Sequence, residues 1–127
     1  MTSVGMVRGL TRSVGWLAVL VIIVLSLVPG DMRPHVMADD DCDHFAAYLI
    51  ASSLLAIGYS RSDQLLSNAL SLALLAGLLE IVQSLIPGRN PSAWDFAMSA
   101  FGSGAGVALV GVVRWARDSA AAARLPK

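Results

Sequence analysis

The sequence predicts an all-α protein: a four-helix transmembrane bundle with both termini on the cytoplasmic side. Three observations predict it. The chain is 56% hydrophobic and only 14% charged, where a soluble domain has roughly a quarter of its residues charged. Its mean hydropathy is +0.68, and its apolar residues fall into four segments separated by short polar stretches. The basic residues are distributed unevenly between alternate connections. At 127 residues the chain is long enough for one domain, so residues 1–127 are read as a single membrane unit.

The spans are expected at about 12–28, 44–60, 65–86 and 94–113. A spanning helix needs ~20 residues, with a range of roughly 17 to 25. The third and fourth segments meet this from their apolar residues alone. The first two have strictly apolar cores of 15 residues, Val14–Val28 and Phe45–Tyr59. They become long enough if Arg12 and His44 reach outward to the interface. Seven basic residues (Arg8, Arg12, Arg61, Arg114, Arg117, Arg124 and Lys127) precede the first span, join the second to the third, or follow the fourth. Only two, Arg33 and Arg89, lie in the alternate connections. The positive-inside rule then places both termini in the cytoplasm. The connections Pro29–Asp43, which carries five aspartates, and Pro87–Ala93 face outward. A cleaved signal peptide is the rival for the first segment. The small-residue site Val36-Met37-Ala38 lies far beyond the apolar stretch, so the segment is expected to be retained.

Several classes are excluded or disfavoured. The formal net charge is zero and no basic stripe is interleaved with aromatics, which gives no footprint for nucleic acid. The single Cys42 allows neither an internal disulfide nor a multi-cysteine zinc site. No phosphate loop, nucleophile elbow or zinc-protease motif is present, and no cofactor is implied. Asp39-Asp40-Asp41 with Asp43 and His44 could attract a divalent cation, but no established ligand spacing occurs. No metal is expected, and the run suits a solvated turn before a helix N-terminus.

The polar residues near the membrane gather at the predicted outer end. His44 opens the second span, and with Tyr48 and Ser52 it makes an i, i+4, i+8 stripe. That stripe either faces other helices or gives His44 a role in proton transfer. Glu80 and Gln83 share a face of the third span at i, i+3. If the helix continues to Ile86, Glu80 lies roughly 9 Å below its end at 1.5 Å per residue. An ionisable group in hydrocarbon costs about 2.5–3.5 kcal/mol on insertion scales and marks a functional site by default. The alternative is that Glu80 only ties helices together. Arg89 follows a Pro-Gly turn, either as an interfacial anchor or as a guanidinium fork for a phosphate or carboxylate. Ser92-x-x-Asp95 reads as a capping box opening the fourth span, which accounts for Asp95 without excluding a contact to Arg89. Gly102-x-x-x-Gly106 is a small-xxx-small face for close helix contact, with either this chain or a partner.

These residues resemble a known pattern. An aspartate before His44-Phe45, then Glu80-x-x-Gln83, then Pro87-Gly88-Arg89, Ser92, Asp95 and Gly102 is similar to the VanZ-like family of small bacterial membrane proteins. The resemblance covers about Val28 to Gly106. By it, Asp40 takes the motif aspartate and His44 the histidine. Glu80, Gln83, Arg89, Ser92 and Asp95 match directly. Two positions depart: Asp41 stands where the family has lysine, and Ser99 where it has asparagine. The first places an anion where a phosphate-binding role would need a cation. The resemblance implies a multi-pass protein of the bacterial inner membrane, with a link to resistance against the glycopeptide teicoplanin.

Three functions follow as expectations. The first is a non-enzymatic envelope protein in which Asp40, His44, Glu80, Gln83, Arg89, Ser92 and Asp95 line an outward pocket. Its ligand would be an anionic or sugar-bearing lipid, or a glycopeptide-related molecule. The second is a membrane-embedded enzyme on an envelope lipid, with His44 or Glu80 as general base and Arg89 stabilising negative charge. The third is an assembly module that holds a partner helix through Gly102 and Gly106. A transporter is disfavoured, because four short helices leave little room for alternating access.

Overall fold

A computed structural model describes residues 3–32, 40–59 and 61–124. Arg33 and Asp39, in the first predicted outer connection, lie outside the described residues. Among the described residues the structure is all-helical: α1 (Ser3–Leu27), a 3-10 turn (Gly30–Met32), α2 (Asp40–Gly58), α3 (Ser62–Gln83) and α4 (Ala93–Ala122). Three of the helices, α1, α3 and α4, are long and apolar enough to cross a membrane. The apolar part of α2 is shorter, Cys42–Gly58.

The helices run up and down as an antiparallel bundle, with α2 in contact with all three others. Its place at the centre explains how a short helix suffices. Tyr48, Ala51, Ser52, Leu55 and Ala56 are buried against protein, so α2 presents little surface to the surroundings. The closest seam joins α2 to α4. Gly102 lies against Phe45 and Leu49, Gly106 lies against Leu49, Ser52 and Ser53, and Ser52, Ser99 and Ser103 are almost completely buried. A Cβ on Gly106 would stand 2.5 Å from the Leu49 carbonyl oxygen, and one on Gly102 would collide with the Phe45 carbonyl. The close approach offered by Gly102-x-x-x-Gly106 is therefore used within the chain, between α2 and α4.

The outward surface is apolar. Along α3, Leu66, Leu70, Leu74, Leu78 and Ile81 form a stripe at helical spacing, with Leu74 77% exposed, and Leu85 just beyond the helix is 81% exposed. A contiguous apolar surface of this kind is not tolerated in water and is what a lipid-facing helix presents.

The helix ends differ from the expected ones in an informative way. α1 begins at Ser3 rather than near residue 12, because nothing in its first turns breaks a helix. Thr11 and Ser13 bond back to the carbonyls of Val7 and Gly9. α4 runs to Ala122, nine residues beyond the apolar run, carried by the helix formers of Arg114–Ala122. α3 stops at Gln83, and Ser84–Ile86 leave α geometry through i→i+3 bonds such as Ile86 N–H to the Gln83 carbonyl at 3.0 Å. Gly88 then takes a left-handed backbone, φ +74°, which glycine adopts without strain. Glu80 consequently sits one turn from the end of α3, about 5 Å rather than ~9 Å inside it.

Candidate functional site

The predicted site residues gather at the end of the bundle where α1 and α3 finish and α2 and α4 begin. The two Pro-Gly pairs meet there. Gly30 N–H donates to the Pro87 carbonyl at 3.5 Å, and a Cβ on Gly30 would collide with the Gly88 carbonyl. This contact fixes the end of α1 beside the α3–α4 turn and brings Arg89 and Gln83 against it.

A helix leaves its last four carbonyls without intrahelical donors. α1 has no basic residue in its last turn, so its own sequence supplies no cation there. Arg89 supplies one from elsewhere. Its Nη2 donates to the Leu25 carbonyl at 2.6 Å and its Nε to the Val28 carbonyl at 3.1 Å. Gln83, buried, donates from Nε2 to the Ser26 carbonyl at 3.3 Å. The guanidinium also places positive charge at the negative pole of the α1 dipole.

Glu80 performs the opposite service for α4. Ser92 is the N-cap, and its hydroxyl oxygen accepts from Asp95 N–H at 3.0 Å. In a full capping box the third residue of the helix would accept from the N-cap N–H. Here Glu80 Oε1 accepts that bond from Ser92 at 2.6 Å, so the box is completed across helices by α3. Arg89 and Asp95 both lie within electrostatic reach of Glu80, as does buried Tyr48 of α2. Glu80, Arg89, Ser92, Asp95 and His44 are all partly exposed, whereas Gln83 is buried.

His44 is placed one helix away. Its Nδ1 pairs with the Ser99 hydroxyl at 3.3 Å, tying the start of α2 to α4. Ser99 is only 2% exposed, which leaves its oxygen little access to a substrate. Asp40 opens α2, and its side chain lies outside the described part of the structure. Among the described residues no three histidine, cysteine, aspartate or glutamate side chains come together around a metal-sized space.

Sequence reasoning gathered Glu80, Gln83, Arg89, Ser92 and Asp95 at one end. It did not foresee that their bonding partners include main-chain groups at two helix termini. It also missed the capping role of Arg12, read as a topogenic charge that reaches to the interface, and of Arg114, read as a topogenic charge. At the opposite end, Arg12 Nε donates to the Gly58 carbonyl at 2.8 Å. Arg114 donates to the carbonyls of Ala56 and Tyr59. These two cap α2 as Arg89 and Gln83 cap α1. None of the four helices carries a basic residue in its last turn, so that feature alone does not single out α1 and α2.

No protein-family model, curated protein or solved structure matches the chain. The VanZ-like resemblance therefore rests on the motif residues themselves.

Proposed function

We propose that the chain is a non-enzymatic, multi-pass protein of the bacterial inner membrane with both termini in the cytoplasm. Its polar end takes the head group of an anionic or sugar-bearing envelope lipid. The observation that carries this reading is the arrangement of Glu80, Arg89 and Asp95. Acid and guanidinium lie within electrostatic reach of one another and are partly exposed. Glu80 and Arg89 are also held by main-chain bonds from other elements. Side chains fixed in this way lose little freedom on binding, which favours a ligand with several polar groups. The unequal distribution of arginines supports the orientation. The VanZ-like pattern supports a link to teicoplanin tolerance.

A second reading, a purely structural clasp, is favoured by one observation. The bonds of Glu80, Gln83 and Arg89 to Ser92, Ser26, Leu25 and Val28 all end on the protein's own main chain. No specific observation favours the enzyme reading, in which His44 or Glu80 is the general base, and Glu80 already accepts the Ser92 N–H. Native mass spectrometry of protein extracted with its lipids separates the first two. In the folded fraction, Arg89→Ala retains one fewer anionic or glycosylated envelope lipid than wild type if the site reading holds. Retention at the wild-type level leaves only the clasp. Expression of the chain in a teicoplanin-sensitive host should raise the inhibitory concentration, and Arg89→Ala should remove the increase.

A further inference from the structure

The opposite end of the bundle holds a second feature, which the reading above does not use. α1 and α4 both pack on α2, and among the described residues their backbones do not approach each other closely. They leave a groove of about 800 Å³ between them, floored by Ser53 and Ile57 of α2. That volume falls within the roughly 300–1,000 Å³ of small-molecule sites. Its walls are apolar, with Val4 and Val7 on α1 and Leu109, Val110 and Val113 on α4. Its charged lining is Arg8 on one wall and Arg114, Arg117 and Asp118 on the other, three cations to one anion. Arg114 is held by the carbonyls at the end of α2. Arg8 and Arg117 are exposed.

We propose that this groove is a binding site for one anionic glycerophospholipid of the leaflet at the terminal end. An acyl chain lies between α1 and α4 against Ile57, and the phosphate lies between Arg8 and Arg117. The charge pattern selects the occupant. A second copy of the chain would bring its own arginines to the same level, and a zwitterionic lipid would leave the excess positive charge uncompensated. The apolar walls exclude a free phosphate as the main ligand, since it would use the arginines and leave the groove empty. A basic residue near a charged membrane surface strengthens attraction by about fivefold, so two arginines give a preference of about 25-fold for anionic over zwitterionic lipid.

The test is native mass spectrometry of the full chain in nanodiscs of equimolar phosphatidylglycerol and phosphatidylcholine. Wild type should retain one phosphatidylglycerol in this groove, beyond any held at the loop end, with about 25-fold preference. Arg8→Gln combined with Arg117→Gln should lose the preference, while Arg8→Lys with Arg117→Lys should keep most of it. Ile57→Trp, which fills the groove and leaves the charges, should reduce retention of both lipids. The number of retained lipids keeps the two ends apart: Arg89→Ala removes only a lipid held at the loop end, and the one lost in the glutamine pair stays bound. An unchanged preference in the glutamine pair overturns the proposal, as does unchanged retention in Ile57→Trp. If the glutamine pair does not fold, Ile57→Trp decides alone.

Discussion

The two ends of the bundle solve the same problem with different residues. At the loop end, α1 finishes and its carbonyls are taken by Arg89 and Gln83 from the α3–α4 region. At the terminal end, α2 finishes and its carbonyls are taken by Arg12 from α1 and Arg114 from α4. In both cases a helix without a basic last turn receives its cap from a neighbour. The difference lies in what accompanies the cap. The loop end adds the carboxylates Glu80 and Asp95 and the imidazole of His44. Around its cap the terminal end adds aromatic surface, with Arg12 over the Tyr59 ring at 4.7 Å and Trp16 Nε1–H donating to the Tyr59 hydroxyl at 3.1 Å, while its further charges, Arg8, Arg117 and Asp118, line the groove between α1 and α4. A cap alone needs only a donor. The mixed-charge surroundings at the loop end exceed that need, and this excess is what suggests a ligand there.

The largest effect should come from breaking the seam that joins the two ends. Gly106→Leu forces a side chain into the backbone and serines of α2 and should destabilise the protein by ~3 kcal/mol or prevent folding. The readout is thermal unfolding in detergent, and loss should extend to both ends at once. Next come the trans caps. Arg89→Ala and Arg12→Ala should each lower stability by about 2 kcal/mol, the scale of hydrogen bonds to charged groups. Similar losses from the two ends would sharpen the comparison. A loss at only one end would break it.

Glu80 discriminates between acceptor and charge. Glu80→Ala leaves the Ser92 N–H without its partner and should cost roughly 1–2 kcal/mol. Glu80→Gln keeps an acceptor oxygen and should recover most of that loss. If the glutamine variant is as unstable as the alanine one, the negative charge and not the hydrogen bond holds α4. The smallest effect is expected from Ser92→Ala, about 1 kcal/mol, typical of a lost N-cap. Faster amide exchange at Asp95 would report it directly.

Much of this was legible in the sequence, for identifiable reasons. Hydropathy gives the four helices, because long apolar runs have one solution in lipid. The Ser92 cap is local, and the sequence places it correctly. The gathering of Glu80, Gln83 and Arg89 at one end follows from counting spans. What remained hidden is non-local. The distance from Arg89 to the Leu25 carbonyl depends on two Pro-Gly turns meeting, 58 residues apart in the chain. The substitution of Glu80 for Asp95 in the capping box depends on the α3–α4 packing angle. The position of Glu80 was misjudged because Ser84-Leu85-Ile86 reads as apolar helix, whereas the turn to Gly88 begins there. His44 and Ser99 could not be paired until α2 and α4 were known to be neighbours.

The central claim is that the loop-end cap belongs to a ligand site and the terminal-end cap does not belong to that site. The most direct test compares Arg89→Ala with Arg12→Ala by native mass spectrometry, scoring anionic or glycosylated envelope lipid on the folded fraction of each. The account predicts that both variants lose similar thermal stability, that Arg12→Ala keeps the wild-type number of bound lipids and that Arg89→Ala retains one fewer. Retention by both, or loss by both in proportion to stability, would contradict it.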